Sequence, residues 1–206
     1  MTEFLLPLPL VLLGWALAGG SPGPATLAIS GTSMEHGRAA GLALAFGVVI
    51  GSASWGIAAG LGFSALMMAN VWLFEAVKYA GATYLLYLAI KSLRSAWLGK
   101  QAVMVAAPSG AYFAKGLMLH LTNPKAILSW GSIYAIALVP GAGAQAVWGL
   151  FGALTATSCV VFLGYAVLFS SSPVARAYAR GKRVFDLAFG VLFGAASLKL
   201  LTARIS

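Results

Sequence analysis

The sequence predicts an all-α polytopic membrane protein with six transmembrane helices, arranged as two inverted three-helix repeats. Of its 206 residues 61% are hydrophobic and only 8% are charged, whereas soluble domains carry about 25% charged residues. The apolar residues also fall into runs long enough to cross a bilayer. We therefore expect a single membrane domain over residues 1–206, with no separate soluble domain.

Six apolar segments account for most of the chain. They cover residues 9–36, 39–62, 71–93, 112–139, 145–169 and 184–203. As one straight helix the first would be about 42 Å long, which exceeds a hydrocarbon core of about 30 Å. A break at 22–24 divides it into two half-helices of about 18 Å each. The same arithmetic places a break at 123–124, in the fourth segment, near the middle of the membrane.

Each of these two breaks coincides with a proline-containing motif. Ser21-Pro22-Gly23-Pro24 interrupts the apolar run from Leu10 to Ile29, and Thr122-Asn123-Pro124-Lys125 interrupts the fourth segment. Proline removes a backbone donor and obstructs the preceding turn, so a smooth helix cannot continue. Inside a membrane such a break is tolerated where protein buries it or where it lines a wet cavity. Paired interruptions in corresponding positions indicate the binding site of a transporter.

The two halves of the chain share a pattern that predicts the repeat. Each half, at about 1–95 and about 110–206, opens with a proline-broken segment. Each closes with a segment that has an acid and then a glycine, Glu75 with Gly81 and Asp186 with Gly190. Three spans in each half give the halves opposite orientations in the membrane.

The distribution of basic residues predicts the orientation. With six spans, the positive-inside rule places both termini outside the cytoplasm, and a five-span alternative with a re-entrant first segment moves only the N-terminus. The basic residues on the side expected to be cytoplasmic are Arg38, Lys91, Arg94, Lys100, Lys115, Arg176, Arg180, Lys182 and Arg183.

The break motifs supply the candidate substrate site. Asn123 before Pro124 is a favourable helix cap, and Ser21-Pro22 offers the same arrangement in the first half. Two helix N-termini at mid-depth would attract an anionic group such as a carboxylate, and Lys125 adds a full positive charge. The alternative is that both motifs are structural kinks and that Lys125 pairs with a neighbour or extends towards the interface. The candidate substrate-binding residues are Ser21, Pro22, Gly23, Pro24, Asn123, Pro124 and Lys125.

Acidic residues are candidates for proton coupling. The candidates are Glu75, Asp186 and Glu35. Glu75 precedes Lys78 by three residues, so a simple helix-face ion pair is the alternative. Asp186 lies near Lys182 and Arg183, so the alternative is that its carboxylate only balances the charge of these basic neighbours.

Several function classes are excluded by what the sequence lacks. It contains no GxxxxGK[ST] phosphate-binding loop, and His36 and His120 stand apart from any cluster of metal-binding residues. Cys159 is single, which excludes a dithiol shuttle. The net charge of +9 arises from short links rather than from a basic groove, so no nucleic-acid partner is expected. No enzyme activity and no cofactor are expected.

In order along the chain, these motifs resemble those of the LysE/RhtB family of amino-acid exporters. The matching pieces are Pro22-Gly23-Pro24, Gly37-Arg38-Ala39-Ala40-Gly41-Leu42, Phe46-Gly47, Gly51, Leu61-Gly62, the run 78–91, Phe113-Ala114-Lys115-Gly116 and the run 121–126. Ala89 stands where the family often has glycine.

The stretch from Gly131 to Ala137 is similar to that of the threonine-efflux branch. The resemblance therefore implies export of threonine, homoserine or a similar small amino acid across a bacterial cytoplasmic membrane. It also implies proton-linked exchange and a homodimer. The alternatives are a passive channel for small solutes on the same fold, or a scaffold without transport.

Overall fold

The computed structural model describes residues 4–69, 71–99, 110–139 and 141–202. Within those ranges the side chains of some helical residues, including 63–78 and 124, lie outside the description. The described helices are α1 (Leu8–Gly20), α2 (Pro24–Ala69), α3 (Val71–Trp97), α4 (Tyr112–Leu121), α5 (Pro124–Ala137), α6 (Ala144–Phe169) and α7 (Ser172–Thr202).

The all-α prediction is confirmed over the described residues, which contain no strand. Their extended pairing is limited to a single bridge between Phe4 and Leu138. By length and composition, two described helical stretches are apolar enough to cross a membrane, Pro24–Gly62 and Ala144–Phe169. The apolar helix Leu8–Gly20 is shorter.

The connection between α1 and α2 is stabilised by side chains of its own residues. Ser21 follows α1 in an extended conformation, and its hydroxyl donates to the Ala18 carbonyl at 2.8 Å. The Thr26 hydroxyl accepts a hydrogen bond from the Gly23 N–H at 3.0 Å. These bonds replace part of the helical pattern that the prolines interrupt.

Helix α5 begins with a side-chain cap. The Asn123 amide oxygen accepts from the Lys125 N–H at 3.0 Å, and Pro124 occupies the first helical position. Proline is well tolerated there because that position has no helical partner for an N–H.

A further break divides α2 at Gly37. Its φ of +83° lies in the left-handed region, which glycine adopts at little cost. The boundary predicted between the first two segments, at 36–39, falls on this residue. The stretch 24–36 therefore continues from the first break, and the stretch 38–69 forms the following segment.

Glycine allows α2 and α4 to approach closely. A Cβ at Gly116 would overlap the Leu44 carbonyl, and one at Gly47 would overlap the Phe113 carbonyl. Helices in membranes commonly pack through such small residues, which let backbones approach. Besides this contact, α2 packs along α6, α1 packs on α6, and α3 packs mainly on α7.

Two buried apolar clusters hold the helices together. One joins α1, α5 and α6 through Val11, Trp15, Trp130, Tyr134, Val147, Leu150 and Leu154. The other joins α2 and α6 through Ala25, Ile29, Leu44, Val48, Phe162 and Ala166.

Helix α7 extends beyond the last predicted apolar segment. That segment was expected at 184–203, whereas α7 begins at Ser172. The basic residues assigned to a preceding link therefore lie on the helix itself. Arg176, Arg180 and Arg183 are exposed there, and arginine is a good helix former. A hydropathy pattern does not detect a polar helical extension of this kind.

Candidate functional site

The two proline motifs meet at one cavity, although about 100 residues separate them in the sequence. Ser21 and Gly23 from the first motif line it together with Asn123 and Lys125 from the second. Pro22 and Pro24 are not among the residues that line it, and the side chain of Pro124 lies outside the described residues. The cavity has a volume of about 40 Å³, enough for a few water molecules at ~10–15 Å³ each.

Lys125 connects the two motifs directly. Its ammonium donates to the Ser21 hydroxyl through a short hydrogen bond and to the Ser21 carbonyl at 3.3 Å. Ser21 is buried. Among the described residues that line the cavity there is no aspartate or glutamate. The ammonium is thus held by neutral oxygen atoms in the part of the chain that the structure describes.

Some of the backbone N–H groups expected to face a ligand already donate hydrogen bonds within the protein. The Gly23 N–H donates to Thr26, and the Lys125 N–H donates to Asn123. The positive charge at the cavity therefore comes mainly from the Lys125 ammonium, together with the N-terminal ends of α2 and α5.

Tryptophans and serines form much of the remaining wall. The Trp15 indole donates to the Ser158 hydroxyl at 2.8 Å, and the Trp130 indole donates to the Ser52 hydroxyl at 3.0 Å. The two indoles contact each other edge to face, with ring centroids 4.6 Å apart. These bonds fix the orientation of both rings and join α1 to α6 and α5 to α2.

His120 also lines the cavity, from the last turn of α4. Only 5% of the residue is exposed. Its ring lies edge to face against Phe162, with centroids 5.6 Å apart. Its Nδ1 atom is buried and has no hydrogen-bond partner among the described residues.

The proton-coupling candidates are not brought to this cavity where the structure describes them. The Glu35 side chain is 66% exposed, and its Oε1 atom lies 3.9 Å from His36 Nε2. Asp186 is buried in an ion pair with Lys182, and Ser95 donates to the same carboxylate at 2.6 Å. The side chain of Glu75 lies outside the described residues.

Sequence reasoning missed several cavity residues. His120 was considered only as a metal ligand, and Trp15, Thr26, Ser52 and Trp130 carried no motif. Ser158 belongs to a polar strip with Thr155 in α6, which was the one available signal. The missed residues face the cavity because distant helices pack together, and this packing leaves no local pattern.

Sequence comparison identifies the family of this helical protein. The family profile described as "LysE type translocator" matches residues 18–204. The chain belongs to the LysE-type translocator family. The family resemblance drawn from the proline and glycine motifs is therefore confirmed, and family membership places the chain among membrane transport proteins.

Curated relatives include amino-acid efflux proteins. The threonine efflux proteins of Salmonella typhi and Escherichia coli K12 are each 31% identical over 190 residues, covering 89% of this chain and 92% of theirs. The leucine efflux protein of Salmonella choleraesuis is 41% identical over 115 residues, covering 55% of this chain and 54% of its own. No solved structure matches the chain.

Proposed function

We propose that this protein is a secondary active exporter of small amino acids, with threonine and homoserine as preferred substrates. The substrate carboxylate binds the Lys125 ammonium in the cavity between the two helix breaks. The observation that carries the proposal is this ammonium, which links both breaks and has no carboxylate beside it in the described cavity lining.

Charge balance supports a carboxylate ligand. A cationic side chain within the membrane is costly unless an anion or a polar cavity compensates it. In the structure a serine hydroxyl and a carbonyl provide that compensation. A substrate carboxylate would provide more, because hydrogen bonds between ionised partners are roughly twice as strong as neutral ones.

Cavity size supports alternating access. A volume of about 40 Å³ is too small for an amino acid, since ligand pockets usually measure about 300–1,000 Å³. The helices that meet at the breaks must separate to admit the substrate. We propose that they open to one side of the membrane at a time.

The relatives and the lining support a hydroxylated substrate. Threonine efflux proteins align over nearly the whole chain, whereas the leucine efflux protein aligns over about half. Thr26, Ser52 and Ser158 supply hydroxyl groups around the cavity.

Symmetric contacts support the inverted repeat. The Tyr165 hydroxyl of α6 donates to the last carbonyl of α1, Gly20, at 2.5 Å. The Trp55 indole of α2 donates to the last carbonyl of α4, Leu121, at 3.2 Å. In the proposed repeat, α1 corresponds to α4 and the second segment of α2 corresponds to α6, so these two contacts are equivalent.

The remaining features of the proposal follow the family resemblance and the charge distribution. We place the protein in a bacterial cytoplasmic membrane as a six-span homodimer, with its basic links in the cytoplasm and both termini outside. Transport is proton-linked, and the candidate carriers remain Glu75, Asp186 and Glu35.

Efflux from cells tests the proposal. Cells that express the protein are preloaded with labelled threonine, homoserine, leucine and lysine, and the loss of each is compared with that from cells carrying an empty vector. We expect threonine and homoserine to leave faster and lysine to be unaffected. Efflux of leucine alone would refute the substrate assignment, and efflux of no amino acid would refute the exporter.

A further inference from the structure

We infer that His120 binds the substrate's ammonium group, with Nδ1 as the hydrogen-bond acceptor. This inference rests on the proposed function and extends it. It defines the ligand as a zwitterion whose ammonium and carboxylate groups both bind the protein. It also adds a binding residue that the break motifs do not contain.

The first argument concerns what a zwitterion needs. An amino acid that leaves water must find an acceptor for its ammonium as well as a donor for its carboxylate. The described cavity lining contains no acidic side chain, so the acceptor that this lining offers is a neutral atom. A neutral imidazole provides one acceptor nitrogen.

The second argument concerns which acceptors are uncommitted. The carbonyls that end α1 and α4, Gly20 and Leu121, already accept from Tyr165 and Trp55. Ser52 and Ser158 already accept from indole groups. Among the described cavity residues, His120 Nδ1 is the buried side-chain atom with no partner.

The third argument concerns energy. A buried polar atom without a partner is uncommon in folded proteins and calls for an explanation such as a bound ligand. Its position in the last turn of α4 adds to this, because the C-terminal end of a helix favours a cation. Lys125, near the start of α5, would then hold the opposite charge of the same molecule.

A matched pair of ligands and variants tests this assignment. Binding of threonine and of 3-hydroxybutyrate, which lacks the ammonium group, is measured on the purified protein by calorimetry. We expect the wild type to prefer threonine by about 10- to 100-fold, the usual range for a hydrogen bond to a charged group. His120→Phe keeps a ring against Phe162 but has no acceptor, and we expect it to lose that preference. His120→Asn can place its amide oxygen near the Nδ1 position and should retain most of it.

Each outcome has a definite meaning. If His120→Phe keeps the wild-type preference, or if it weakens both ligands equally, His120 does not bind the ammonium. His120→Leu repeats the test if the phenylalanine variant fails to fold. Wild-type protein that exports threonine but binds 3-hydroxybutyrate equally well would overturn the role of His120 alone. Wild-type protein that neither binds nor exports amino acids would overturn the proposed function as well.

Discussion

At the scale of single residues, the cavity depends on polar side chains that are satisfied by distant partners. Trp15 and Ser158 lie 143 positions apart and form a buried hydrogen bond. A bond of this kind contributes only about 1 kcal/mol net, but removing one partner leaves the other unsatisfied at a cost of about 1–3 kcal/mol.

Ser158→Ala should therefore destabilise the protein by about 1–3 kcal/mol, because it leaves the Trp15 indole N–H without an acceptor. Ser54→Ala is the matched control, since Ser54 is exposed and bonds only its own helix, at the Ile50 carbonyl. The measurement is thermal unfolding of both variants in detergent. Equal melting temperatures for the two variants would show that the Trp15 bond is not stabilising.

At the scale of helices, close packing between α2 and α4 positions the second break. Gly116→Ala would place a methyl group against the Leu44 backbone. We expect it to destabilise the protein by about 1–3 kcal/mol, the usual cost of overpacking.

Gly152→Ala is the control for that variant. Nothing lies within 4 Å of a Cβ at Gly152, so alanine should be neutral or should stabilise α6 by up to about 1 kcal/mol through its higher helix propensity. Thermal unfolding in the same detergent separates the two. An unchanged melting temperature for Gly116→Ala would contradict the close approach of α2 and α4.

A buried ion pair on α7 is hydrogen-bonded to α3. Lys182 and Asp186 pair within α7, and Ser95 of α3 contacts both. Removing one partner of a buried pair costs about 3–5 kcal/mol, whereas replacing both with apolar residues is often nearly neutral. We expect Asp186→Leu alone to be poorly folded and Lys182→Met/Asp186→Leu to recover stability.

Efflux by the double variant then decides the role of Asp186. If the pair is structural, the folded double variant exports threonine at near the wild-type rate. Loss of export by a well-folded double variant would instead favour Asp186 as a proton carrier.

At the scale of the whole molecule, the sequence predicted the features that local chemistry determines. Proline is not tolerated in a helix interior, so α1 and α4 could be expected to end before Pro22, Pro24 and Pro124. The start of α7 could not be expected, because a polar helical extension looks like a link in a hydropathy pattern. Lys125 was identifiable because a charge is rare inside an apolar segment. His120 was not, because its place in the cavity depends on how α4 packs against α2 and on the contact of its ring with Phe162 of α6.

Counterflow in proteoliposomes tests the central claim most directly, namely that a carrier binds amino acids at Lys125. Vesicles loaded with unlabelled threonine are placed in labelled threonine, and its uptake is followed for wild type, Lys125→Met and Lys115→Met. Lys115, whose ammonium lies 5.8 Å from the centroid of the Tyr112 ring, is the matched control. We expect internal threonine to accelerate uptake in the wild type and in Lys115→Met. Lys125→Met should lose this acceleration at threonine concentrations that saturate the wild type, because loss of a charge-assisted hydrogen bond weakens binding by about 10- to 100-fold. Full counterflow by Lys125→Met would contradict the site, and uptake in the wild type that internal threonine does not accelerate would indicate a channel.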